Sequence, residues 1–275
     1  MISFPNCKIN LGLNILRKRS DGFHDVSTLM LPIPFHDVLE IIKSNEPDKC
    51  QFSSSGLPIP GKIEQNLCVK AYNLLDAEFS LPSVKIHLHK VIPMGGGLGG
   101  GSSNGAETLK ILNNLFELDL SVQELKNFAA QLGSDCPFFI ENKPQIATGR
   151  GEVLSPIDIN LENKFIVLLF PDIHVSTKEA YSEVVPNEEH FILQKIQSLQ
   201  IEDWKNHITN DFEKPVFEKH FYLKELKKKL YHFGAEFSLM SGSGSTIYGV
   251  FDIQPKSEWF DEVNCDYKIL GIEGV

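Results

Sequence analysis

The spacing of apolar residues along the chain predicts alternating strands and helices. Residues 38–42 and 84–88 have the short apolar patterns of strands, and in the second segment apolar and polar residues alternate. Between them, apolar residues recur at helical spacing from 67 to 75, which predicts a helix. Phe165–Phe170 is a continuous apolar run with the length of a buried strand, and Pro171 ends it.

Capping residues predict a second helix. Ser121 and Glu124 have the spacing of a capping box, an apolar helical face extends from 125 to 132, and Gly133 is placed to end the helix.

The last third of the chain predicts further elements and a second domain. A lysine-rich helix is expected around residues 223–230, followed by a strand at Ile247–Phe251. A boundary near residues 156–163 divides the chain into two predicted domains, 1–158 and 159–275.

Six of the seven residues from 95 to 101 are glycine, with Leu98 between them. Glycine loses more conformational entropy on folding than any other residue, so such a run needs a backbone reason. Successive N–H groups of a glycine loop can converge on one anion, and apolar residues from 106 to 116 predict a helix starting just after the loop. Because a helix N-terminus adds positive potential, we expect the loop to bind a phosphate.

Other motifs fit this loop less well. Gly95, Gly97 and Gly100 satisfy G-x-G-x-x-G, but no βαβ pattern precedes the loop, as a dinucleotide site requires. A Walker A loop needs a lysine after its last glycine, where this chain has Ser102. The G-x-S-x-G nucleophile pattern is also met, with Ser103 as its serine, although serines at a helix start are more simply interpreted as an N-cap facing an anion.

Composition and charge narrow the class of function. The chain has 275 residues, 42% of them hydrophobic, which is enough for one large or two modest domains. The formal net charge of -10 argues against a nucleic-acid partner and requires any phosphate site to be locally positive. The five cysteines lack C-x-x-C spacing, so we predict neither a disulfide framework nor a zinc site, and expect a cytoplasmic protein. Neither a membrane span nor a secretory signal is expected.

Three shorter segments carry polar residues suited to catalysis. Lys8 and Asn10 share one face of a predicted strand, a pattern also typical of a solvated strand edge. Asp135 lies in a bend after a helix, where aspartate is commonly a cap. Residues 242–245, Gly-Ser-Gly-Ser, precede a strand and would let a ligand approach the backbone, although such a segment alone is more often a turn.

Together these segments resemble the GHMP small-molecule kinases over nearly the whole chain. The matching blocks are residues 8–13 (KINLGL), 21–24 (DGFH), 93–104 (PMGGGLGGGSSN), 133–139 (GSDCPFF), 149–152 (GRGE) and 241–245 (SGSGS). The block 93–104 is highly specific, whereas each shorter block is weak alone. Phe23 stands where Tyr is usual and Gly105 where Ala is usual, and Phe23 keeps a ring that can stack.

The resemblance implies an α+β GHMP kinase fold of two lobes, a ribosomal-S5-like N-terminal domain and a ferredoxin-like C-terminal domain. It also implies transfer of the γ-phosphoryl group of ATP, with Mg²⁺, to an alcohol on a small molecule. The Asp-Gly-Phe-His block implies a cytidine diphosphate derivative as this substrate. A mevalonate or homoserine kinase is the alternative, and a non-catalytic nucleotide-binding module is a third hypothesis.

Catalytic roles follow from the same resemblance. Asp135 would take the proton of the acceptor hydroxyl, and Lys8 would offset negative charge on Asp135 and on the phosphoryl group. The predicted nucleotide contacts are Pro93, Met94, Gly95, Gly96, Gly97, Leu98, Gly99, Gly100, Gly101, Ser102, Ser103, Asn66 and Lys90.

The acceptor side needs a flat slot for the base. Phe23 and Tyr181 would sandwich the cytosine with His24 at its edge, although Tyr181 fits a core or surface position nearly as well. The predicted substrate contacts are Asn10, Phe23, His24, Thr177, Tyr181, Gly242 and Ser243. No direct protein ligand to a metal is predicted, and the oligomeric state stays open.

Overall fold

The computed structural model describes residues 1–188 and 192–272, within which the chain forms twelve strands and eight α-helices. The strands are β1 (Ile2–Ser3), β2 (Asn6–Lys18), β3 (His24–His36), β4 (Val38–Lys43), β5 (Cys50–Gly56), β6 (Val84–Lys90), β7 (Gln145–Thr148), β8 (Val153–Pro156), β9 (Phe165–Phe170), β10 (Phe237–Met240), β11 (Ile247–Phe251) and β12 (Asp266–Gly271). The helices are α1 (Leu67–Phe79), α2 (Gly100–Leu115), α3 (Val122–Leu132), α4 (Phe138–Glu141), α5 (Thr177–Ser182), α6 (Ile201–Trp204), α7 (Glu213–Lys219) and α8 (Phe221–His232).

The first compact unit, unit 1, consists of residues 1–8, 35–94 and 99–143. Its sheet has the strand order β1-β4-β6-β5, in which β6 pairs antiparallel with β4 and parallel with β5. Alternate residues of β6 are buried, as the sequence pattern predicts, because one face of the sheet lies on the core. Helices α1 to α4 also belong to this unit.

Helices α1 and α2 approach each other closely at Gly105. A Cβ built on this glycine would lie 2.9 Å from Leu67 Cβ, closer than real Cβ atoms come to one another. Gly105 therefore lets the two helices pack at this distance.

The second compact unit, unit 2, consists of residues 9–34, 95–98 and 144–272 of the described chain. One of its sheets has the order β10-β11-β9-β12, with every pair antiparallel. The continuous apolar run of β9 is explained by its position inside this sheet and by a core cluster with residues of α7 and α8. The other sheet has the order β2-β3-β7-β8.

Most of the predicted elements are present, with one shifted boundary. The helix over 67–75, the strands at 38–42, 84–88, Phe165–Phe170 and Ile247–Phe251, and the lysine-rich helix are confirmed. The capping box of α3 is also confirmed. The prediction that a helix starts just after the glycine run is wrong, because α2 already begins at Gly100.

The compact units are not two consecutive stretches of chain, since unit 2 includes residues 9–34 and 95–98 from the first half. The division into domains 1–158 and 159–275 stays a prediction. In residues 1–188 and 192–272, no helix has the length and apolar character needed to cross a membrane.

Candidate active site

The N-terminus of α2 is the centre of the candidate site in unit 1. Gly99 is its N-cap, with φ of 68°, in the left-handed region that glycine adopts without strain. Because glycine has no side chain, it cannot accept hydrogen bonds from the first N–H groups of the helix, which lack partners within a helix. These groups and the helix dipole make this end of α2 suited to an anion.

Two side chains, those of Phe139 and Lys8, lie close to this N-cap. A Cβ on Gly99 would lie 3.0 Å from Phe139 Cζ and 3.2 Å from Lys8 Cε. A Cβ on Gly100 would lie 3.0 Å from Lys90 Nζ. The glycines at these positions therefore allow side chains, two of them lysines, to approach the start of the helix.

Lys8 and Asp135 form an ion pair beside this helix end. Lys8 Nζ lies 3.5 Å from Asp135 Oδ2, and the side chains are 4% and 32% exposed respectively. Lys8 is on β2, and Asp135 is in the turn that links α3 to α4, where the N–H of Cys136 donates to Gly133 O at 3.2 Å. A partly exposed carboxylate beside a buried ammonium can accept a proton while the cation offsets nearby negative charge.

The two serines of the glycine block lie inside α2, not at its cap. The N–H of Ser103 donates to Gly99 O at 2.9 Å, so the interpretation of these serines as the N-cap is wrong. Ser102 hydrogen-bonds the Cys136 thiol, whose pKa burial raises to about 12. This thiol therefore stays protonated at neutral pH.

A buried ion pair lies beneath the same helix end. Both oxygens of Asp37 are occupied: Oδ1 accepts from the N–H groups of Val91 and Ile92 at 2.7 and 2.8 Å, and Oδ2 accepts from Lys90 Nζ and from Asn104 Nδ2. The side chains of Asp37 and Lys90 are fully buried, and burial lowers the pKa of Lys90 although Asp37 opposes this effect. Since Asn104 is on α2 and Lys90 ends β6, Asp37 joins the helix to the sheet.

The predicted nucleotide contacts in unit 1 occupy different environments. The Lys90 ammonium is bound to Asp37, and Asn66 caps α1 by accepting from the N–H of Cys68 at 2.9 Å. Met94 is exposed and Pro93 partly exposed. The roles of these residues toward a nucleotide stay predictions.

In unit 2, residues 95–98 of the glycine loop pack on the turn after β10. Ser241 Oγ donates to Gly97 O at 2.9 Å, and the N–H of Thr246 donates to Gly96 O at 3.3 Å. Gly97 has φ of 78°, and a Cβ there would overlap the Ser241 carbonyl. Leu98 is buried. The loop backbone therefore needs glycine for both conformation and space.

Asn10 is bound to the same turn. Its N–H donates to Ser241 Oγ at 3.2 Å, and its Nδ2 donates to Thr28 Oγ1 at 2.8 Å. A Cβ on Gly242 would lie 3.2 Å from Asn10 Oδ1, so Gly242 leaves room for this amide. Ser243 Oγ is 3.4 Å from Thr177 Oγ1, which brings two further predicted substrate contacts together.

The predicted cytosine slot has a different ring arrangement from the one expected. Tyr181 stacks on His24, with ring centroids 5.0 Å apart, and meets Phe212 edge-on at 4.8 Å. Phe23 is 54% exposed, and the Arg150 guanidinium lies 5.0 Å from its ring centroid. The structure thus pairs Tyr181 with His24 and Phe23 with Arg150, and the roles of these rings toward a base stay predictions.

Sequence reasoning missed several polar residues at these sites: Asp37, Asn104, Arg150 as the partner of Phe23, and Asn210. Asp37 precedes a predicted strand and Asn104 ends the glycine block, but neither position reveals a partner more than fifty residues away. Arg150 lies in the short block 149–152, which does not indicate its contact with Phe23. No group of three or more His, Cys, Asp or Glu side chains that could hold a metal ion occurs in the part of the chain that the structure describes.

Comparison with known proteins adds the family context. The GHMP kinases N terminal domain matches residues 66–143, and the GHMP kinases C terminal domain matches residues 192–267. A 4-diphosphocytidyl-2-C-methyl-D-erythritol kinase of Cytophaga hutchinsonii is 49% identical over 258 residues, covering 94% of this chain and 94% of that protein. A crystal structure of 4-(cytidine 5'-diphospho)-2C-methyl-D-erythritol kinase superimposes with a TM-score of 0.83 at 28% identity, covering 99% of this chain and 100% of that chain.

A mevalonate kinase from Methanococcus jannaschii also has a similar structure. Its TM-score is 0.72 at 15% identity, with coverage of 99% of this chain and 98% of that chain. At this identity the likeness shows a common fold and does not extend to the substrate.

Proposed function

The chain belongs to the GHMP kinase family and, within it, to the 4-diphosphocytidyl-2-C-methyl-D-erythritol kinases, and we propose that it phosphorylates the 2-hydroxyl of that cytidyl substrate with ATP. The predicted α+β GHMP kinase fold and small-molecule kinase activity are confirmed by the family matches. The reaction is a step of isoprenoid precursor synthesis.

The proposed chemical step is supported above all by the position of Lys8 and Asp135 beside the N-terminus of α2. Asp135 accepts the proton of the 2-hydroxyl as its oxygen attacks the γ-phosphorus. A new O–P bond forms, the bond from phosphorus to the β,γ-bridging oxygen breaks, and ADP leaves with that electron pair. Lys8 offsets the negative charge of the phosphoryl group throughout.

The N–H groups at the start of α2 are proposed to hold the phosphates of ATP. Gly99 and Gly100 let the Lys8 and Lys90 side chains come close to the helix N-terminus. Both lysines are paired with aspartates, so the positive end of the helix dipole supplies the local potential that a phosphate needs in a chain of net charge -10. Residues 95–98, which lie in unit 2 and pack on the turn after β10, are also proposed as nucleotide contacts.

Mg²⁺ is proposed to accompany ATP and to neutralise its β- and γ-oxygens. Among the described residues no cluster of three or more metal-ligating side chains exists, and the proposal assigns the ion no direct protein ligand. The chain's own contribution would then be to bind the phosphates that hold the ion.

The acceptor is proposed to bind at the residues grouped in unit 2. Asn10, Gly242, Ser243 and Thr177 offer polar groups along the turn after β10, and Phe23, His24 and Tyr181 offer aromatic faces for the cytosine. The exposed Phe23 ring, with Arg150 on it, supports a stacking role better than a core role.

We further infer a cytoplasmic protein that does not bind nucleic acid. None of the five cysteines, which all lie in the described residues, is in a disulfide, ATP is a cytoplasmic substrate, and the acidic net charge opposes nucleic-acid binding.

Turnover measured side by side on three acceptors tests the proposal. ATP consumption should be fast with 4-diphosphocytidyl-2-C-methyl-D-erythritol and near background with mevalonate and homoserine, because neither of these carries a base for the aromatic residues. Preferred turnover of mevalonate or homoserine would refute the substrate assignment. ATP binding without turnover of any acceptor would favour a nucleotide-binding module.

A further inference from the structure

We infer that Asn210 is a positioning residue for the acceptor side of the reaction, because its buried amide holds the turn on which Asn10, Gly242 and Ser243 depend. The inference rests on the proposed function, since it takes those residues to be acceptor contacts.

The side chain of Asn210 uses both of its donors and its acceptor oxygen. It is 3% exposed, and its Nδ2 donates to Met240 O and to Gly242 O, both at 2.8 Å. Its Oδ1 accepts from the N–H of Phe212 at 3.0 Å. An asparagine amide supplies two donors and an acceptor at this length, whereas aspartate only accepts and serine has a single donor. The residue type is therefore matched to the two carbonyls.

Strand β2 sets the position of this amide. The N–H of Leu13 donates to Thr209 O and the N–H of Asp211 donates to Leu13 O, both at 2.9 Å, so residues 209–211 lie along β2. The carboxylate of Asp211 accepts from the N–H of Ile15 at 2.7 Å. Asn210 is thus fixed from both sides in the chain and has little freedom to follow a displaced turn.

The turn that Asn210 holds is in contact with groups proposed to bind the substrates. Between the two bonded carbonyls lies Ser241, whose hydroxyl accepts from the N–H of Asn10 and donates to Gly97 O. Gly242 itself adjoins Asn10 Oδ1. A shift of either carbonyl would therefore move Ser241, Asn10 and the predicted acceptor contacts together.

A carboxylate at position 210 should disturb this arrangement without a change of size. Asn210→Asp places negative oxygen against two carbonyl oxygens and removes both donors. We expect kcat/KM for the cytidyl acceptor to fall by about tenfold or more, since small displacements of positioning groups have large effects on rate. Affinity for a non-hydrolysable ATP analogue should fall much less, because the start of α2 and residues 99–103 belong to unit 1. Of the proposed nucleotide contacts, Gly96 and Gly97 are bonded to residues of this turn.

The test compares Asn210→Asp and Asn210→Ser with wild type and with Asn206→Asp, an exposed asparagine a few residues earlier. Steady-state kinetics for the acceptor, calorimetry with the ATP analogue and melting curves are measured on each. Both variants at position 210 should lose acceptor kcat/KM selectively, and Asn206→Asp should match wild type. If only Asn210→Ser folds, the same measurements on that variant alone are compared with wild type and with Asn206→Asp.

Three results would overturn the inference. One is a lowered melting temperature with unchanged acceptor kcat/KM, another is an equal loss for acceptor and ATP analogue, and the third is failure of both variants to fold, which would assign Asn210 to stability. Wild-type protein that does not turn over the cytidyl acceptor would instead refute the proposed function, independently of the variants.

Discussion

Asp135 and Lys8 are one ion pair in the structure, yet the proposed chemistry gives them different tasks. Asp135→Asn keeps the shape but cannot accept the hydroxyl proton, so kcat should fall by about 10² to 10⁴. Binding of a non-hydrolysable ATP analogue should persist, as calorimetry would measure. Asp119→Asn, at an exposed left-handed position that asparagine also tolerates, is the control. Near-normal kcat in Asp135→Asn would remove this residue from the chemical step.

Substitutions at Phe23 test the proposed cytosine pocket. Because its ring is 54% exposed, Phe23→Ala should leave the melting temperature almost unchanged. The loss of stacking, on the order of 1 to 3 kcal/mol, should raise KM for the cytidyl substrate by about fivefold to 150-fold. KM for ATP should not change, and Phe23→Tyr should behave as wild type since it retains the ring face. A lower melting temperature without a selective KM effect would mean that Phe23 is structural.

The sequence was informative for residues within a compact motif and silent on residues whose partners are distant. Lys8 and Asp135 could be predicted because each lies in a recognisable block. Asp37 could not, since its bonds to Lys90 and Asn104 span 53 and 67 positions. The arrangement of His24 on Tyr181 was missed for the same reason, because ring stacking depends on tertiary geometry.

At the scale of elements, the start of α2 shows how glycine misleads sequence analysis. Helix propensity disfavours glycine, so the pattern predicts a helix only after the run. In the structure the last glycines form the N-cap and first turn, where Lys8, Phe139 and Lys90 leave little room for a Cβ at Gly99 or Gly100. Local propensity alone therefore misplaces the start of this helix.

A Cβ at this N-cap should therefore damage the site. Gly99→Ala is strained at φ of +68° and would push against Phe139 and Lys8. We expect kcat to fall about tenfold or more as Lys8 is displaced, together with weaker binding of an ATP analogue. Gly271→Ala, where the new Cβ meets only ordinary contacts with Phe165, is the control for adding a methyl group. Wild-type kinetics in Gly99→Ala would show that the start of α2 does not hold the phosphates.

The packing of α2 on its sheet depends on the buried ion pair of Asp37 and Lys90. Asp37→Asn leaves a buried ammonium without its counter-charge, and urea denaturation should show a loss of about 3 to 5 kcal/mol in unfolding free energy. Adding Lys90→Met should restore part of this loss. Glu225→Gln, which breaks a solvent-exposed pair with Lys228, should cost less than about 1 kcal/mol. Equal effects of Asp37→Asn and Glu225→Gln would contradict the proposed importance of the buried pair.

For the whole molecule, hydrophobic patterning predicted the elements but not their grouping. The apolar run of β9 indicated a buried strand, and the structure explains it by neighbours on both sides and a helical cover. The assignment of residues 9–34 and 95–98 to unit 2 has no local signal, because it follows from contacts with residues far along the chain.

Thiol labelling reports on the stability of the whole molecule. Burial raises the pKa of Cys7, Cys68 and Cys136 to about 12 each, so their reactive thiolates should form only when the protein opens. Mass spectrometry after iodoacetamide treatment at neutral pH should find Cys50 and Cys265, which are partly exposed, labelled first. In urea all five should label. Labelling of Cys7 or Cys136 in native protein before Cys50 would contradict this packing.

The close approach of α1 and α2 at Gly105 has a consequence for engineering. Replacement of a glycine inside a helix by alanine would normally be chosen as a safe change that improves helix propensity. Here the added Cβ would meet Leu67 Cβ at 2.9 Å, so the helices would have to move apart. We therefore expect Gly105→Ala to lower the free energy of unfolding in this chain, and a smaller side chain at position 67 to relieve part of that loss.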